Sequence, residues 1–255
     1  MQRIKATGSA VSPRRIQWGM AMVKGGGWIG LVCVGLACGM AMATPAQAQS
    51  ARELLTQASF GDSDEASALR RVSGAYMAAA NALKRAPDDH ESLLMRATAL
   101  GYRAKLTGNR GDAITARRQF ESLVAQNPRD AEAQLALGAW HVGAVKKLGA
   151  IVGRAALGAQ RGVGYASLDR AIALGGDRAL FPGLSALLRL ELDPRDPRGR
   201  ALAEAAVRAG TVTPIDRILQ RACAAVLTSL HAGDVQKTRA LASQSLPFGR
   251  FDDDN

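Results

Sequence analysis

Five turn-forming residues divide the chain after residue 65 into segments of similar length, and this spacing constrains the fold more than any other feature. The turns are at Pro87, Pro128, Gly176, Gly210 and Pro247, which lie 41, 48, 34 and 37 positions apart. Between them, apolar residues follow the 3.6-residue period of amphipathic helices, with no convincing strand pattern. Because one helix pair cannot bury its apolar face alone, recurring pairs indicate stacking. The predicted fold class is all-α, an α-solenoid of antiparallel helix pairs.

The composition agrees with helices packed through small side chains. Hydrophobic residues make up 47% of the 255-residue chain, but aromatic residues only 4%. A chain of this length can bury one sizeable core or two small ones. Helices with few large side chains pack closely, which favours this fold class further.

Two segments resemble junctions between tetratricopeptide repeats. In FESLVAQNPRDAEAQLALG, the spacing of Phe120, Leu123 and Pro128 is similar to the second helix and closing proline of that motif, and Gly138 stands at the small-residue position of the next repeat. LDRAIALGGDRAL is similar, with Gly176 in place of the proline. The resemblance covers about residues 65–247 and implies a tetratricopeptide-like solenoid, whose domain is assigned to residues 49–247.

The interval of 48 positions exceeds the repeat period of about 34 residues and predicts an insertion at about residues 143–164. The segment LGAWHVGAVKKLGAIVGRAALGAQRGVG, residues 137–164, favours a helix that continues past its normal end and bends at glycines. Its small and apolar stripe is Gly138, Val142, Val145, Gly149, Val152 and Ala156. A Gly-x-Trp-His motif before a Gly/Ala-rich insertion is similar in layout to the regulator of microtubule dynamics proteins.

Residues 1–48 have the features of a secretory signal peptide. They contain no acidic residue, and basic residues ending at Lys24 precede an apolar run over residues 25–43. Ala46-Gln47-Ala48 is a small-x-small cleavage signal, which predicts a mature chain that begins at Gln49 and is periplasmic or secreted. Translation from Met20 would give a leader of ordinary length. A lipid on Cys38 and an uncleaved anchor stay open as alternatives.

Removal of this leader changes the partners that the charge favours. Residues 1–48 hold five basic residues, so the formal charge falls from +11 to +6. An exported basic domain seldom meets nucleic acid, and acidic proteins or anionic membranes are better partners. One cysteine, Cys223, remains and cannot form an internal disulfide.

The candidate partner-binding residues follow from the repeat resemblance and from the insertion. In tetratricopeptide repeats the first helices line the concave groove, which implies two stripes here. Together with the basic residues of the insertion, the candidates are Glu91, Leu94, Thr98, Tyr102, Glu132, Leu135, Ala139, Val142, Lys146, Lys147 and Arg154.

No motif indicates catalysis, a cofactor or a metal. His-Glu-x-x-His, Cys-x-x-Cys and the phosphate-binding Gly-x-x-x-x-Gly-Lys-Ser/Thr pattern are absent from the sequence. His141 is interpreted as an imidazole packed beside Trp140 at a helix interface. The segment RLELDPRDPRGR is interpreted as a solvated connector, and residues 248–255 as a disordered acidic tail.

The sequence therefore predicts a non-catalytic, exported scaffold that binds a protein or peptide in the cell envelope. An accessory ligand-binding subunit of a solute uptake system is the first alternative, and a deep apolar pocket between helices would favour it. A helical hydrolase acting on the cell wall is the second, and it would require a positioned carboxylate.

Overall fold

The computed structural model describes residues 49–254, in which every regular element is helical. The helices are α1 (Ala51–Phe60), α2 (Glu65–Arg85), α3 (His90–Thr107), α4 (Arg110–Gln126), α5 (Ala131–Leu148), α6 (Ala150–Leu157), α7 (Arg161–Leu174), α8 (Leu180–Leu192), α9 (Pro197–Arg208), α10 (Pro214–His231) and α11 (Val235–Gln244), followed by a 3-10 helix (Gly249–Asp254). The prediction of an all-α fold is confirmed for these residues. The predicted export signal at residues 1–48 lies outside the described residues.

Polar caps and turn residues set the helix boundaries. Side chains that accept a hydrogen bond from a backbone N–H of the first turn belong to Ser50, Asp64, Asp89, Asn109, Asp130, Asp196 and Asp234. Such caps satisfy backbone donors that have no partner inside the helix. At the other end, α2, α4, α7, α9 and α11 stop two or three residues before the five turn residues that the sequence indicated.

The helices pack in pairs, and the first members of the pairs also contact one another. The pairs are α1 with α2, α3 with α4, α5 with α7, α8 with α9 and α10 with α11. Contacts between first members run from α1 to α3, α5, α8 and α10 in turn. Two apolar clusters form the core, and α5 belongs to both: Leu137 lies in the first, Leu135 and Val142 in the second. This helix therefore joins the two halves of the core.

Two glycines allow α5 and α7 to approach closely. A Cβ on Gly138 would lie 2.9 Å from the carbonyl oxygen of Gly164, and one on Gly164 would lie 3.2 Å from that of Gly138. Both distances are shorter than ordinary carbon–oxygen contacts, so larger residues would push the two backbones apart. The small residue predicted at Gly138 therefore has a packing role.

The insertion forms α6, which leaves α5 at a bend of 118°. Gly149 makes this bend at φ 78° and ψ 164°, a conformation that only glycine adopts readily. The predicted stripe of small and apolar residues lies on one packed face as far as Val145, which is buried. Beyond the bend the prediction is wrong. There Val152 is exposed and Gly153 packs against α5 instead. A single helical period does not continue through a break in the helix.

Two segments interpreted as solvated are packed in part. In RLELDPRDPRGR, Arg189 and Glu191 are buried on α8, and Pro197 starts α9 at its first turn. The predicted disordered tail is wrong for residues 248–251, because Phe248 is buried and Arg250 donates to backbone carbonyls at the end of α1. Both corrections arise from contacts with helices distant in sequence.

Candidate binding cleft

A cleft of about 380 Å³ lies where the amino-terminal turns of α1, α3 and α5 meet the connection between α7 and α8. Its walls are formed by Arg52, His90, Glu91, Leu94, Asp130, Ala131, Glu132, Leu174, Gly175, Arg178 and Phe181. Five of these eleven residues are formally charged, and the set comes from four helix pairs. The cleft is therefore a product of the packing between pairs.

Two arginines and two glutamates form a continuous chain of ion pairs across the cleft. Arg52 donates to Glu91 at 2.6 and 2.7 Å, and its Nη2 donates to Oε2 of Glu132 at 2.7 Å. Nη1 of Arg178 donates to the other oxygen of Glu132 at 2.9 Å. The hydrogen bond to Glu91 is the main cause that raises the pKa of Arg52 above its ordinary value. Residues from α1, α3 and α5 and the segment before α8 are thus fixed relative to one another.

The acidic residues of the cleft lie at the amino-terminal ends of their helices, where negative charge is stabilising. Glu91 and Glu132 lie in the first turns of α3 and α5, where the helix dipole favours negative charge. Asp130 caps α5 and is contacted by Nε2 of His90. Carboxylates outnumber arginines among the lining residues, so a basic group could enter by sharing them.

Asp216 supports Arg178 from behind the cleft. Its buried carboxylate accepts hydrogen bonds from the backbone N–H groups of Thr213 at 2.8 Å and Leu180 at 3.0 Å. Burial opposes ionisation, but hydrogen bonds from Thr213 and Leu180 and the charge of Arg178 outweigh it and lower the pKa of Asp216. Nε of Arg178 lies 3.4 Å from this carboxylate. The anion ties the start of α10 to the start of α8 and holds the arginine in place.

Only the first part of the predicted α3 stripe faces the cleft. Glu91 and Leu94 line it, whereas Thr98 is half-buried and donates its hydroxyl to the Leu94 carbonyl at 2.8 Å. Tyr102 packs edge-on against Phe248 with ring centroids 5.0 Å apart, and burial raises the pKa of its phenol. The far end of the stripe is therefore covered by the end of the chain itself.

The predicted α5 stripe is mostly part of the core. Glu132 lines the cleft, but Leu135 and Val142 are buried in the second apolar cluster, and Ala139 packs against that cluster. The prediction that these three residues line an open groove is wrong. The reason is that α8 packs against α5, so the inner face of α5 is not open to a partner.

The basic residues of the insertion separate into two groups. Nζ of Lys146 pairs with the buried carboxylate of Glu191 at 3.0 Å, which makes it a structural contact to α8. Lys147 and Arg154 are exposed at the bend and on α6.

His141 occupies the interface expected of it. The imidazole is 2% exposed, and its ring lies edge-on to Trp140 at 5.1 Å between centroids. Its Nδ1 accepts a hydrogen bond of 3.2 Å from the backbone N–H of Gln160, the residue before α7. Burial, and then the charge of Arg117, lower its pKa to about 4. A neutral imidazole therefore holds the start of α7 against α5.

Sequence reasoning missed Arg52, because helix α1 was not predicted, and it missed Arg178. One signal for α1 was available: Ser50 and Glu53 form a capping box, a Ser-x-x-Glu pattern recognisable in sequence. Nothing local marks Arg178, whose partner Glu132 is 46 positions away.

Comparison of the chain with protein families, with curated proteins and with solved structures finds no match. Within residues 49–254, no group of three or more His, Cys, Asp or Glu side chains is arranged to hold a metal ion. In the same region no single helix is long and apolar enough to span a membrane; only α5 and α6, taken together across their bend, meet that criterion.

Proposed function

We propose that this chain is an exported, tetratricopeptide-like scaffold that binds a protein or peptide in the cell envelope through the charged cleft. The single observation that carries the proposal is the cleft itself, built from the first turns of successive first helices. Repeat scaffolds bind partners on surfaces composed of equivalent positions from neighbouring repeats. Glu91 and Glu132 stand at equivalent positions of α3 and α5, each two residues after the capping aspartate.

The row of first helices supports the repeat architecture. Short turns make neighbouring helices antiparallel, and the first members contact one another in chain order. The signal-peptide features of residues 1–48 support export. Both glutamates of the cleft already form ion pairs with arginines. A carboxylate held in this way is poorly placed to act as a catalytic acid or base, which supports a non-catalytic scaffold.

The chemistry of the cleft favours an extended segment that carries a basic group. Glu91 and Glu132 both lie at the cleft surface and share Arg52, which is partly exposed. A lysine, arginine or amino terminus of the partner can replace Arg52 on one carboxylate. Leu94 and Phe181 lie beneath these charges as buried core residues, and Leu174 beside them is half-buried. Such mixed linings are common where a peptide is held by a few oriented polar contacts.

Photocrosslinking from the cleft tests the proposal. The half-buried Leu174 lines the cleft, and the equally half-buried Leu69 on α2 does not. With benzoylphenylalanine replacing Leu174 in the host cell, we expect one discrete crosslinked envelope protein that is absent from the Leu69 variant. Glu91→Gln with Glu132→Gln should reduce that product strongly, because both carboxylates are lost. Equal crosslinking from both positions, or none from Leu174, would contradict a binding cleft.

A small charged solute is the second candidate, because about 380 Å³ is within the range of small-molecule sites, although the cleft is open and charged and is not the deep apolar pocket that would favour uptake. It would make the chain an accessory subunit of solute uptake. Native mass spectrometry of the protein purified from its host separates the two functions. A retained small molecule that is lost in the Glu91→Gln, Glu132→Gln variant would favour uptake over the scaffold.

A further inference from the structure

The insertion ends in an exposed structure that the cleft does not use. Helix α6 leaves the end of α5 at the bend. The last two residues of α5 and the outer side of α6 carry five exposed side chains: Lys147, Leu148, Ile151, Val152 and Arg154. We call these five residues the α6 tip. No residue of the tip lines the cleft.

The tip is held rigidly from its inner side. Gly153 packs on α5, where an added Cβ would lie 3.3 Å from the carbonyl oxygen of Ala144. Arg110 on α4 donates to the carbonyl of Ala156 at 3.0 Å, and Gly158 ends the helix at φ 73°. Because α4 and α5 both fix α6, its exposed side chains are presented in one orientation.

The tip exposes large aliphatic side chains next to one another. Ile151 is 86% exposed, which is the highest value among the large apolar residues of the described chain, and Leu148 and Val152 accompany it. Single exposed apolar residues are ordinary on protein surfaces, but a cluster marks a site of interaction. The side chains flank an exposed bend and line no cavity, so they suit insertion into a soft surface better than closure around a ligand.

The charges around these side chains have one sign. Between Glu132 and Asp169 the sequence contains no acidic residue. Lys147 and Arg154, and Arg161 at the start of α7, are exposed and have no ion-pair partner within the described chain. The only basic residue of the insertion paired there is Lys146, with Glu191. The tip therefore combines aliphatic side chains with uncompensated positive charge.

We propose that the α6 tip docks on the surface of a bilayer containing anionic lipids. Ile151, Leu148 and Val152 enter the boundary between headgroups and acyl chains, while Lys147 and Arg154 contact the lipid phosphates. This combination is the one that binds amphipathic segments to anionic membranes. Protein interfaces are instead enriched in aromatic residues at their centres, and the tip has none. The inference rests on different residues from the proposed cleft and stands apart from it.

Vesicle binding provides the first test, with the chain from Gln49 because the residues from there on belong to one compact unit. Vesicles of phosphatidylglycerol and phosphatidylcholine should bind it, and binding should weaken at high salt. Each cation at an anionic surface contributes about fivefold in affinity, so Lys147→Gln with Arg154→Gln should reduce binding more than about tenfold. Ile151→Ser with Val152→Ser should reduce it as well. Circular dichroism verifies that each variant is folded.

The matched control removes equal charge elsewhere. Arg221→Gln with Arg239→Gln changes two exposed arginines of α10 and α11, and binding should stay within about twofold of the wild-type value. If this variant loses as much binding as the tip variants, attraction is due to overall charge and the proposal fails. The proposal is also overturned if the wild-type chain does not bind these vesicles. It is overturned as well if the wild-type chain self-associates and Ile151→Ser abolishes that self-association, because the tip would then contact a second copy of the chain.

A label at the tip tests insertion directly. Cys223 is the only cysteine after residue 48, and burial raises the pKa of its thiol to about 12, so a cysteine at position 151 reacts selectively. A nitrobenzoxadiazole dye on Ile151→Cys should shift to the blue with phosphatidylglycerol vesicles. The same dye on Val212→Cys, 74% exposed between α9 and α10, should not. Absence of the shift at position 151, or equal shifts at both positions, would overturn the proposal.

Discussion

His141 shows how a single buried group connects two helices and makes the stability depend on pH. Its Nδ1 can accept the Gln160 N–H only while that nitrogen carries no proton, as in the neutral ring. In the unfolded chain the imidazole binds a proton below pH 6.5, but in the folded chain only below about pH 4. Protonation therefore favours the unfolded state throughout this window.

The first prediction concerns this window. The contribution of His141 is fully present above pH 6.5 and is lost as the pH falls towards 4, by about 3 kcal/mol at most. His141→Asn keeps an acceptor near Nδ1 but has no proton to bind, so its stability should fall less steeply with pH. Urea unfolding of both proteins at several pH values between 7 and 4 measures the difference. Identical slopes would show that His141 is not buried in the neutral form.

The residue scale also shows which site residues a sequence reveals. The sequence predicts Glu91 and Glu132 as site residues because its resemblance to tetratricopeptide repeats places them on first helices. Leu135 and Val142 share that position, yet they are buried because α8 covers them. The repeat pattern specifies the face of a helix but not whether a neighbour covers it.

At the scale of helices, the crossing of α5 and α7 depends on Gly138, whereas another glycine of the same helix has no such role. A Cβ on Gly138 would lie 2.8 Å from the Leu168 side chain and 2.9 Å from a backbone carbonyl, but one on Gly143 would have no neighbour within 4 Å. The two positions therefore form a matched pair.

Substitution of each glycine by alanine should change stability in opposite directions. Gly138→Ala should destabilise the protein by about 1–3 kcal/mol, because the backbones of α5 and α7 must separate. Gly143→Ala should stabilise it by about 0.5–1 kcal/mol through the helix preference of alanine. Thermal and urea unfolding measure both effects. A stabilising Gly138→Ala substitution would mean that α5 and α7 are not in close contact.

Most helices could be predicted because their signals are local. Capping residues such as Asp89 and turn residues such as Pro128 lie within a few positions of the boundaries that they set. The sequence predicts that the helix bends at a glycine, and the bend is at Gly149. It does not predict the angle of 118° between α5 and α6, because that angle depends on how α6 packs against α4 and α5. The angle between two helices is set by tertiary contacts, so the apolar periodicity of the sequence carries no information about it.

At the scale of the whole molecule, residues 246–251 join the end of the described chain to its beginning. Leu246 lies in the second apolar cluster and Phe248 in the first. Arg250 donates to the carbonyl of Ala58 at 2.9 Å and also to that of Ser59, both in the last turn of α1. These carbonyls have no donor within the helix, so the arginine takes the role of a capping group.

Loss of the packing of residues 246–251 against α1 and α3 should destabilise α1 more than the other helices. Phe248→Ala empties a buried site beside Tyr102 and should cost about 3–5 kcal/mol. Phe251→Ala, at a half-buried ring of the same segment, should cost less. Hydrogen exchange followed by mass spectrometry should show faster exchange in α1 of the Phe248 variant than in α9. A loss below about 1 kcal/mol with unchanged exchange would contradict the packing of this segment.

The contact between Arg250 and α1 also determines when the fold can be completed during biosynthesis. A ribosome makes α1 before the other helices of residues 49–254, but the guanidinium that caps it lies 192 positions later. Until then α1 has open carbonyls and the Tyr102 site is empty. The growing chain therefore stays incompletely folded until Arg250 has been made, and the export that we propose would then act on an unfolded chain.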